Sequence, residues 1–339
     1  MKHKAYALKN GEIIFIDPNL EIFELIKIIS PGFEIVSQPP LRGFIPNIRK
    51  ISGPLIGKDS LHLKIELARR SLNRCDLCGW NCGVNRYGES GKCGLKEKAY
   101  CSVPFVHICE EPPINPAASI KMFGCGMKCV YCQAHEHIEG WQASSEAMEL
   151  NQKVWEMVEW RKAISLEFVG GNPTESIPAI LEFLSHAPED FDLAIVWNDN
   201  LYGSEKAYRL LDGLIDIYLP DFRYGNNECA RKLSGVEKYW EISTAGLKRM
   251  MEQKTRIITR ILILPGHFKC CHKRVLEWLS QFKDRIWISL LDQYIPEYRA
   301  VGQPELGRMA TNEEVAEVEH LAKELGLRDD NKNPESCWI

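Results

Sequence analysis

The sequence predicts an α/β fold built on a partial (β/α)6, TIM-like barrel, preceded by a small N-terminal cysteine-rich module. Between residues 115 and 325, short apolar stretches alternate six times with segments of helical periodicity. Such alternation is typical of a parallel sheet that is buried on both faces. A closed barrel of eight units requires roughly 250 residues. Six units therefore predict a barrel that stays open.

Each strand is predicted from an apolar, often β-branched run, and several of these runs end in glycine or proline. Each helix is predicted from apolar residues at helical spacing, and Ser176 and Pro178 favour a helix start at 176. The predicted strands are 117–123, 165–171, 193–199, 215–224, 256–267 and 287–294. The predicted helices are 148–161, 176–187, 204–214, 243–253, 273–282 and 311–325.

The first 114 residues differ from this pattern and are predicted to form an N-terminal extension. A helix is expected at 60–73, followed by a cysteine- and glycine-rich stretch at 75–109 that we interpret as a metal-binding module. The barrel is assigned to 115–327. Residues 328–339 are expected to form a loosely held tail.

Composition excludes several classes of function. The chain of 339 residues is 45% hydrophobic and 26% charged, which predicts an ordinary globular core. Its formal charge is −4, whereas a nucleic-acid-binding protein usually carries a basic surface. The sequence shows no apolar run of membrane-spanning length and no secretory signal. We therefore expect a soluble, cytoplasmic protein with no nucleic-acid or membrane partner.

Nine of the thirteen cysteines lie between Cys75 and Cys132. Without a secretory signal, such clustering indicates metal binding or redox chemistry rather than disulfides. The remaining cysteines are Cys229, Cys270, Cys271 and Cys337. The adjacent pair at 270 and 271 is either buried or supplies a ligand to an auxiliary site.

The most informative motif is CGMKCVYC, in which Cys125, Cys129 and Cys132 are spaced Cys-x3-Cys-x2-Cys. Three thiolates on one short loop suit a 4Fe-4S cluster. A cluster with three protein ligands keeps one iron open to an exogenous ligand, which allows chemistry as well as electron storage. The alternatives are a ferredoxin-type cluster, which uses four cysteines, and structural zinc, which usually combines two close pairs.

A second cysteine array precedes this loop and consists of Cys75, Cys78, Cys82 and Cys93. Four thiolates at these spacings predict structural zinc or a second iron–sulfur cluster. Cys101 and Cys109 could substitute for one of the four ligands. Free thiols in a glycine-rich loop are the alternative.

Glycines and polar residues follow the later strands and are candidates for binding a cofactor. Gly170 and Gly171 let a ligand approach the backbone closely. Asn172 offers an amide oxygen that can accept a hydrogen bond from an ammonium group. The other candidates are Asn198, Asn200, Asp216, Asp221, Arg260 and His267.

Each of these candidates also has a structural alternative. The two asparagines could instead cap a helix, and a loop histidine is usually exposed to solvent. An arginine within an apolar strand needs a partner. For Arg260 this partner is either a substrate or cofactor carboxylate or a neighbouring acidic side chain.

The cysteine loop resembles the signature of radical S-adenosylmethionine enzymes, and the six surrounding units resemble the partial barrel of that superfamily. Within it, the chain resembles a family related to pyruvate formate-lyase activating enzyme. The match runs over about residues 70–325 and departs at Ala134, where an asparagine is common. The supporting motifs, beyond the two cysteine arrays, are HICEEPPI, FVGGNPT, LPDFRYG, LPGHFKCC and LLDQYIPEY.

This resemblance implies a 4Fe-4S cluster that cleaves S-adenosylmethionine to a 5′-deoxyadenosyl radical, which then abstracts hydrogen from a substrate. It also implies that the glycine-rich motif contacts the amino group of S-adenosylmethionine, with Asn172 standing where glutamate is common. A flavodoxin- or ferredoxin-like electron donor and an anaerobic or reducing cytoplasm are implied as well.

The resemblance does not identify the substrate, because a fold does not fix a function. An activating enzyme would take hydrogen from a glycine of a partner protein. A modifying enzyme would act on a small molecule, a peptide or a protein residue. A non-catalytic metal or iron–sulfur protein is the remaining alternative.

Overall fold

The structure is a computed structural model that describes residues 5–9, 12–16, 58–108 and 110–329. Cys109, Cys337 and most of the predicted tail lie outside these ranges. A nine-stranded mixed sheet forms the centre, and β1 and β2 pair separately. The strands are β1 (Ala5–Lys9), β2 (Glu12–Ile16), β3 (Tyr100–Cys101), β4 (Phe105–His107), β5 (Ala117–Met122), β6 (Met148–Glu149), β7 (Ser165–Gly170), β8 (Ala194–Trp197), β9 (Ile217–Tyr218), β10 (Arg256–Leu262) and β11 (Trp287–Leu291).

Six parallel strands form the main part of this sheet. They are neighbours in chain order, from β5 through β7, β8, β9 and β10 to β11. Their register places Ser119 beside Glu167 and Arg260 beside Ser289. This arrangement confirms the predicted α/β class with a partial TIM-like barrel. The antiparallel strands β3, β4 and β6, which the sequence did not predict, extend the sheet beside β5.

The α-helices are α1 (Lys58–Ser71), α2 (Ile177–Ser185), α3 (Glu205–Leu211), α4 (Asn227–Ser234), α5 (Tyr239–Met251), α6 (Lys273–Leu279) and α7 (Asn312–Glu324). α2 begins as predicted, with Pro178 in its first turn, although the Ser176 side chain makes no capping hydrogen bond. Ser204 and Thr311 cap α3 and α7 with their side chains. Across the described ranges, none of the helices combines the length and apolar character needed to span a membrane.

The helix predicted over 148–161 is wrong. This segment forms β6 and two short 3-10 helices, Gln152–Glu156 and Trp160–Lys162. Trp155 and Trp160 both pack their rings against Phe191, with centroids 5.1 and 5.8 Å away. In an α-helix, residues five apart point in directions about 140° apart. An irregular segment can bring both rings to one partner, whereas a continuous helix cannot.

The fourth parallel strand is shorter than the predicted span of 215–224. β9 contains only Ile217 and Tyr218, and one further bridge joins Asp221 to Arg260. Pro220 lies between them and has no N–H to donate to a strand ladder. The chain therefore leaves the sheet early and continues as a loop at the carboxyl edge.

The two faces of the parallel sheet bury different side chains. One face joins the helices in the main hydrophobic core, which includes Phe168 and Trp197. The opposite face, which is the barrel interior, carries a small apolar cluster that includes Val196 and Ile258. Alternate residues of a strand share a face, so Arg260 lies on the interior face with Ile258. The interior therefore has an apolar floor and charged groups nearer the carboxyl edge.

We expect Phe168→Ala to lower the free energy of unfolding by about 3–5 kcal/mol, the usual cost of truncating a buried aromatic side chain. Phe168 is fully buried, and its ring contacts Phe183 and Trp197. Chemical denaturation measures the change. Val103→Ala is the control, because Val103 is 58% exposed and should cost less than about 0.5 kcal/mol. Equal losses in the two variants would contradict this assignment of the core.

Candidate active site

The loop at residues 125–132, called the cluster loop below, begins directly after β5, at the edge where the parallel strands end. Gly124 has a φ of +87°, a conformation that favours glycine. Its N–H donates to the His137 carbonyl at 2.8 Å. Cys125 and Cys129 are buried, and Cys132 is half-buried. The three predicted ligands therefore share the location that the sequence indicated.

The end of α4 holds the backbone of the cluster loop. The Lys128 N–H donates to the Ser234 carbonyl at 2.9 Å, and the Val130 N–H donates to the Leu233 carbonyl at 2.8 Å. The Ser234 hydroxyl also donates to Cys129 Sγ at 2.9 Å. The same helix end thus fixes the loop backbone and contacts one of its sulfur atoms.

A second side chain donates to the cluster loop from the end of β8. Asn200 Nδ2 lies 3.4 Å from Cys125 Sγ. Burial raises the pKa of Cys125 well above the ordinary thiol value and raises that of Cys132 to about 12. These thiols therefore keep their protons unless a metal binds, since coordination deprotonates a thiol. Hydrogen bonds to the sulfur atoms then tune the potential of an iron–sulfur cluster.

Glu175 is a buried carboxylate that the sequence reasoning missed. Its Oε1 accepts the Gly126 N–H at 3.0 Å, and its Oε2 accepts a hydrogen bond from the Asn172 amide. Burial raises its pKa. Trp80 closes the same corner by donating its indole N–H to the Gly126 carbonyl at 2.9 Å. The position of Glu175 close behind the paired glycines was the signal that could have identified it.

Gly170 and Gly171 approach the backbone of this protein itself. A Cβ on Gly171 would lie 2.5 Å from the Gly124 carbonyl oxygen, and one on Gly170 would lie 2.6 Å from the Met122 nitrogen. These positions therefore require glycine for packing against the end of β5, apart from any role toward a ligand.

Asn172 and Asn198 are both engaged within the protein. Asn172 is 2% exposed, and its Oδ1 accepts the Asn200 N–H at 3.0 Å while its amide donates to Glu175. Asn198 Nδ2 donates to Glu167 Oε1 at 2.9 Å in the barrel interior. Of the two asparagines at the end of β8, Asn200 is the one that reaches the cluster loop.

Arg260 and Asp221 belong to a charged network in the barrel interior. An Arg260 Nη atom lies 2.8 Å from Glu110, and its Nε lies 3.3 Å from Glu111 and 3.8 Å from Asp221. Neighbouring acidic side chains, one of the two alternatives considered for Arg260, are thus its partners in this structure. Glu111 also accepts a hydrogen bond from Ser289 at 2.6 Å. Burial raises the pKa of Glu111 to about 7.

The second cysteine array lies between α1 and β3. Cys75, Cys78 and Cys93 are buried, and Cys82 is half-buried. Buried Arg86 lies beside them, with its Nη1 3.9 Å from Cys75 Sγ. The metal expected at these four residues stays a prediction.

The chain around this array packs on the mouth of the barrel. Cys78 forms an antiparallel bridge with Gly203, and the Gly79 N–H donates to the Tyr202 carbonyl at 2.7 Å. Arg86 donates to the Glu175 carbonyl at 2.7 Å. The module therefore contacts the loops after β7 and β8, next to the cluster loop.

A third group of metal-type ligands was not recognised as a site from the sequence. In the part of the chain that the structure describes, three such ligand atoms lie within 4.8 Å of one another at Cys229, His267 and Cys270 alone. His267 is 3% exposed, so the structural alternative for this residue, a histidine exposed to solvent, is wrong.

Comparisons with known proteins agree with this fold and loop. The sequence model of the Radical SAM superfamily matches residues 119–279 of this chain. The chain is 34% identical over 281 residues to "Uncharacterized protein MJ0674" of Methanocaldococcus jannaschii, an alignment that covers 79% of this chain and 79% of the relative. The chain therefore belongs to the radical S-adenosylmethionine superfamily. Membership implies an enzyme with a 4Fe-4S cluster and S-adenosylmethionine as its cofactors.

Solved structures show weaker similarities, which carry no argument about function. TYW1 with a lysine-pyruvate adduct bound gives a TM-score of 0.40 at 14% identity, covering 61% of this chain and 73% of that chain. HydG, a maturase of the FeFe-hydrogenase, gives a TM-score of 0.42 at 10% identity, covering 89% of this chain and 60% of that chain.

Glu111 provides a pH test of the interior network. Burial raises its pKa from 4.5 to about 7. Between these values the folded chain holds a proton that the unfolded chain releases. The contribution of Glu111 to stability is therefore fully present below the lower value and falls as pH rises through the window. The free energy of unfolding should fall by up to about 3 kcal/mol across this window.

Urea denaturation at pH values from about 5 to 8 measures this effect. Glu111→Gln should remove this part of the pH dependence. The exposed control Glu156→Gln should retain it. Parallel profiles for the wild type and Glu111→Gln would show that Glu111 does not titrate in this window.

Proposed function

We propose that this protein holds a 4Fe-4S cluster with Cys125, Cys129 and Cys132 and abstracts hydrogen from a polypeptide substrate. When bound, the cluster and S-adenosylmethionine supply a 5′-deoxyadenosyl radical. The observation that carries the proposal is the anchoring of three cysteines on one loop at the carboxyl edge of the barrel. Three protein ligands leave one iron of such a cluster for S-adenosylmethionine.

Residues of the chain position and shield this loop. Ser234 and Asn200 donate to two of its sulfur atoms, at 2.9 and 3.4 Å. Tyr131 is 3% exposed, and its hydroxyl lies 2.7 Å from the Tyr224 hydroxyl. Trp80 covers Gly126 from the side of the cysteine-rich module. Exclusion of water strengthens electrostatic interactions and limits side reactions of a radical.

S-adenosylmethionine is proposed to lie along the strand ends beside the cluster loop. Gly170, Gly171 and Asn172 are assigned to its amino group by resemblance. Asn198, Asp221 and Arg260, which lie deeper in the barrel, are also proposed to contact this cofactor. Zinc or a second cluster is proposed to stabilise the module through Cys75, Cys78, Cys82 and Cys93.

A polypeptide substrate, such as a glycine-containing segment of a partner protein, is favoured by the loop after β11. Ile295 and Val301 in this loop are 49% and 66% exposed. Arg299 in the same loop forms a salt bridge of 2.9 Å with Glu139, which follows the cluster loop in the sequence. These exposed apolar side chains are available to contact an extended chain. A small molecule is the alternative substrate, and a reduced flavodoxin or ferredoxin is the proposed electron donor.

Anaerobic reconstitution with iron and sulfide, followed by reduction with S-adenosylmethionine, should yield 5′-deoxyadenosine. Cys129→Ala should abolish both the cluster's spectroscopic signal and this product, because it removes one of three ligands. Cys337→Ala is the matched control, since no proposed site assigns a role to this cysteine, and it should retain both. A loaded, reduced cluster that forms no 5′-deoxyadenosine would contradict the proposal and favour a non-catalytic iron–sulfur protein.

The substrate class is tested with a cell extract separated into macromolecular and small-molecule fractions. The macromolecular fraction should raise 5′-deoxyadenosine formation above the basal rate, and protease treatment of that fraction should remove the increase. Cys129→Ala should give no response to either fraction. Stimulation by the small-molecule fraction alone would contradict a polypeptide substrate.

A further inference from the structure

The Cys229 group, defined as Cys229, His267 and Cys270, brings together residues from two loops at the carboxyl edge of the barrel. Cys229 lies in the first turn of α4, and His267 and Cys270 lie where β10 leads into a π-helical turn before α6. Their ligand atoms all lie within 4.8 Å of one another. Short π-helical turns occur frequently at functional sites.

His267 is fixed in the tautomer that suits a metal ligand. Its Nδ1 lies 2.7 Å from the Pro265 carbonyl oxygen, which can only accept a hydrogen bond, so Nδ1 carries the proton. The Nε2 atom therefore has the free lone pair. Metal-binding histidines usually donate their other ring N–H to a carbonyl or carboxylate in this way. The ring is only 3% exposed, so packing also restricts its orientation.

Asn226 connects the two segments that carry the cysteines. Its Oδ1 accepts the Cys229 N–H at 2.8 Å, and its Nδ2 donates to the Cys270 carbonyl at 2.7 Å. The same Nδ2 lies 3.3 Å from Cys229 Sγ. One side chain thus caps α4, fixes the partner turn and contacts a ligand sulfur. Such outer contacts orient the ligands of metal sites.

Gly225 allows this close approach of the two segments. A Cβ at this position would lie 2.6 Å from the Cys271 carbonyl oxygen and 2.9 Å from its Cα. Any larger residue would push the π-helical turn away from α4. The backbone is therefore shaped to bring the Cys229 group together before any metal binds.

We propose that the Cys229 group is a mononuclear zinc site with two thiolate ligands and one imidazole ligand. Sulfur and imidazole donors are the usual zinc ligands, and three protein ligands leave the fourth tetrahedral position to water or an exogenous ligand. Cys270 is exposed, so that position is accessible from solvent. Cys271 is buried and lies outside the group of three, although its thiol is next to those of Cys229 and Cys270, and we do not assign it as a ligand.

This site is separate from the cluster loop, but Cys229 lies on α4, the helix whose end anchors that loop. Cys229 precedes Ser234 by five residues on α4, a rise of about 7.5 Å. Ser234 in turn contacts Cys129 Sγ. The zinc proposal does not rest on the proposed radical function, because zinc binding is measured without turnover.

The test uses the full-length protein with its iron–sulfur cluster reconstituted, so that the cluster loop is occupied. After equilibrium dialysis against zinc, elemental analysis should find one more zinc per chain in the wild type than in Cys229→Ser or Cys270→Ser. His267→Gln should weaken zinc binding at least about tenfold. Cys337→Ser is the matched control, because no proposed site includes this cysteine, and it should retain the wild-type zinc content. Unchanged iron content and circular dichroism show that each variant is folded.

A second measurement needs no variant. Bound zinc should slow alkylation of Cys229 and Cys270 in the wild type, detected by peptide mapping, and should leave the rate at Cys337 unchanged. The proposal is overturned by equal zinc content in wild type and Cys229→Ser, by loss of zinc in Cys337→Ser, or by a disulfide between Cys229 and Cys270 with no zinc uptake.

Discussion

Backbone hydrogen bonds between the cluster loop and the end of α4 are the contact on which the site depends. They use main-chain groups of Lys128 and Val130, so the loop is held whatever side chains lie between the cysteines. The same helix end brings the Ser234 hydroxyl to Cys129 Sγ. Loop position and sulfur environment are thus set by one element. A displacement of α4 would change both together.

The parallel sheet explains why distant segments reach this loop. Because all six strands run the same way, their carboxyl ends meet at one edge. Asn200 after β8 and Glu175 after β7 approach the cluster loop from that edge. Below them the interior changes from charged to apolar, from Arg260 to Ile258 on one strand face. The acidic side chains around Arg260 balance a cation that would be unstable there alone.

The parts of this fold that depend on local pattern were predictable. Six strands, the start of α2 and the spacing of Cys125, Cys129 and Cys132 follow from residues close together in the sequence. The segment 148–161 was misjudged because helical periodicity there competes with two tryptophans that share one aromatic partner. The Cys229 group was missed because its members meet across tens of residues. Glu175 follows the paired glycines closely, but its contact with Gly126 joins residues 49 positions apart. Spacing within one motif gives no sign that Cys229 meets His267.

The partner that anchors the cluster loop lies far along the chain, since Ser234 follows Cys129 by 105 residues. Proteins are synthesised from the N-terminus, so the cysteines leave the ribosome well before the helix that positions them. During that interval the loop has neither its backbone anchors nor the Ser234 hydroxyl. A metal centre in its final environment can therefore be completed only late in synthesis or afterwards. The final environment of the cluster loop is thereby tied to the folding of the chain through α4.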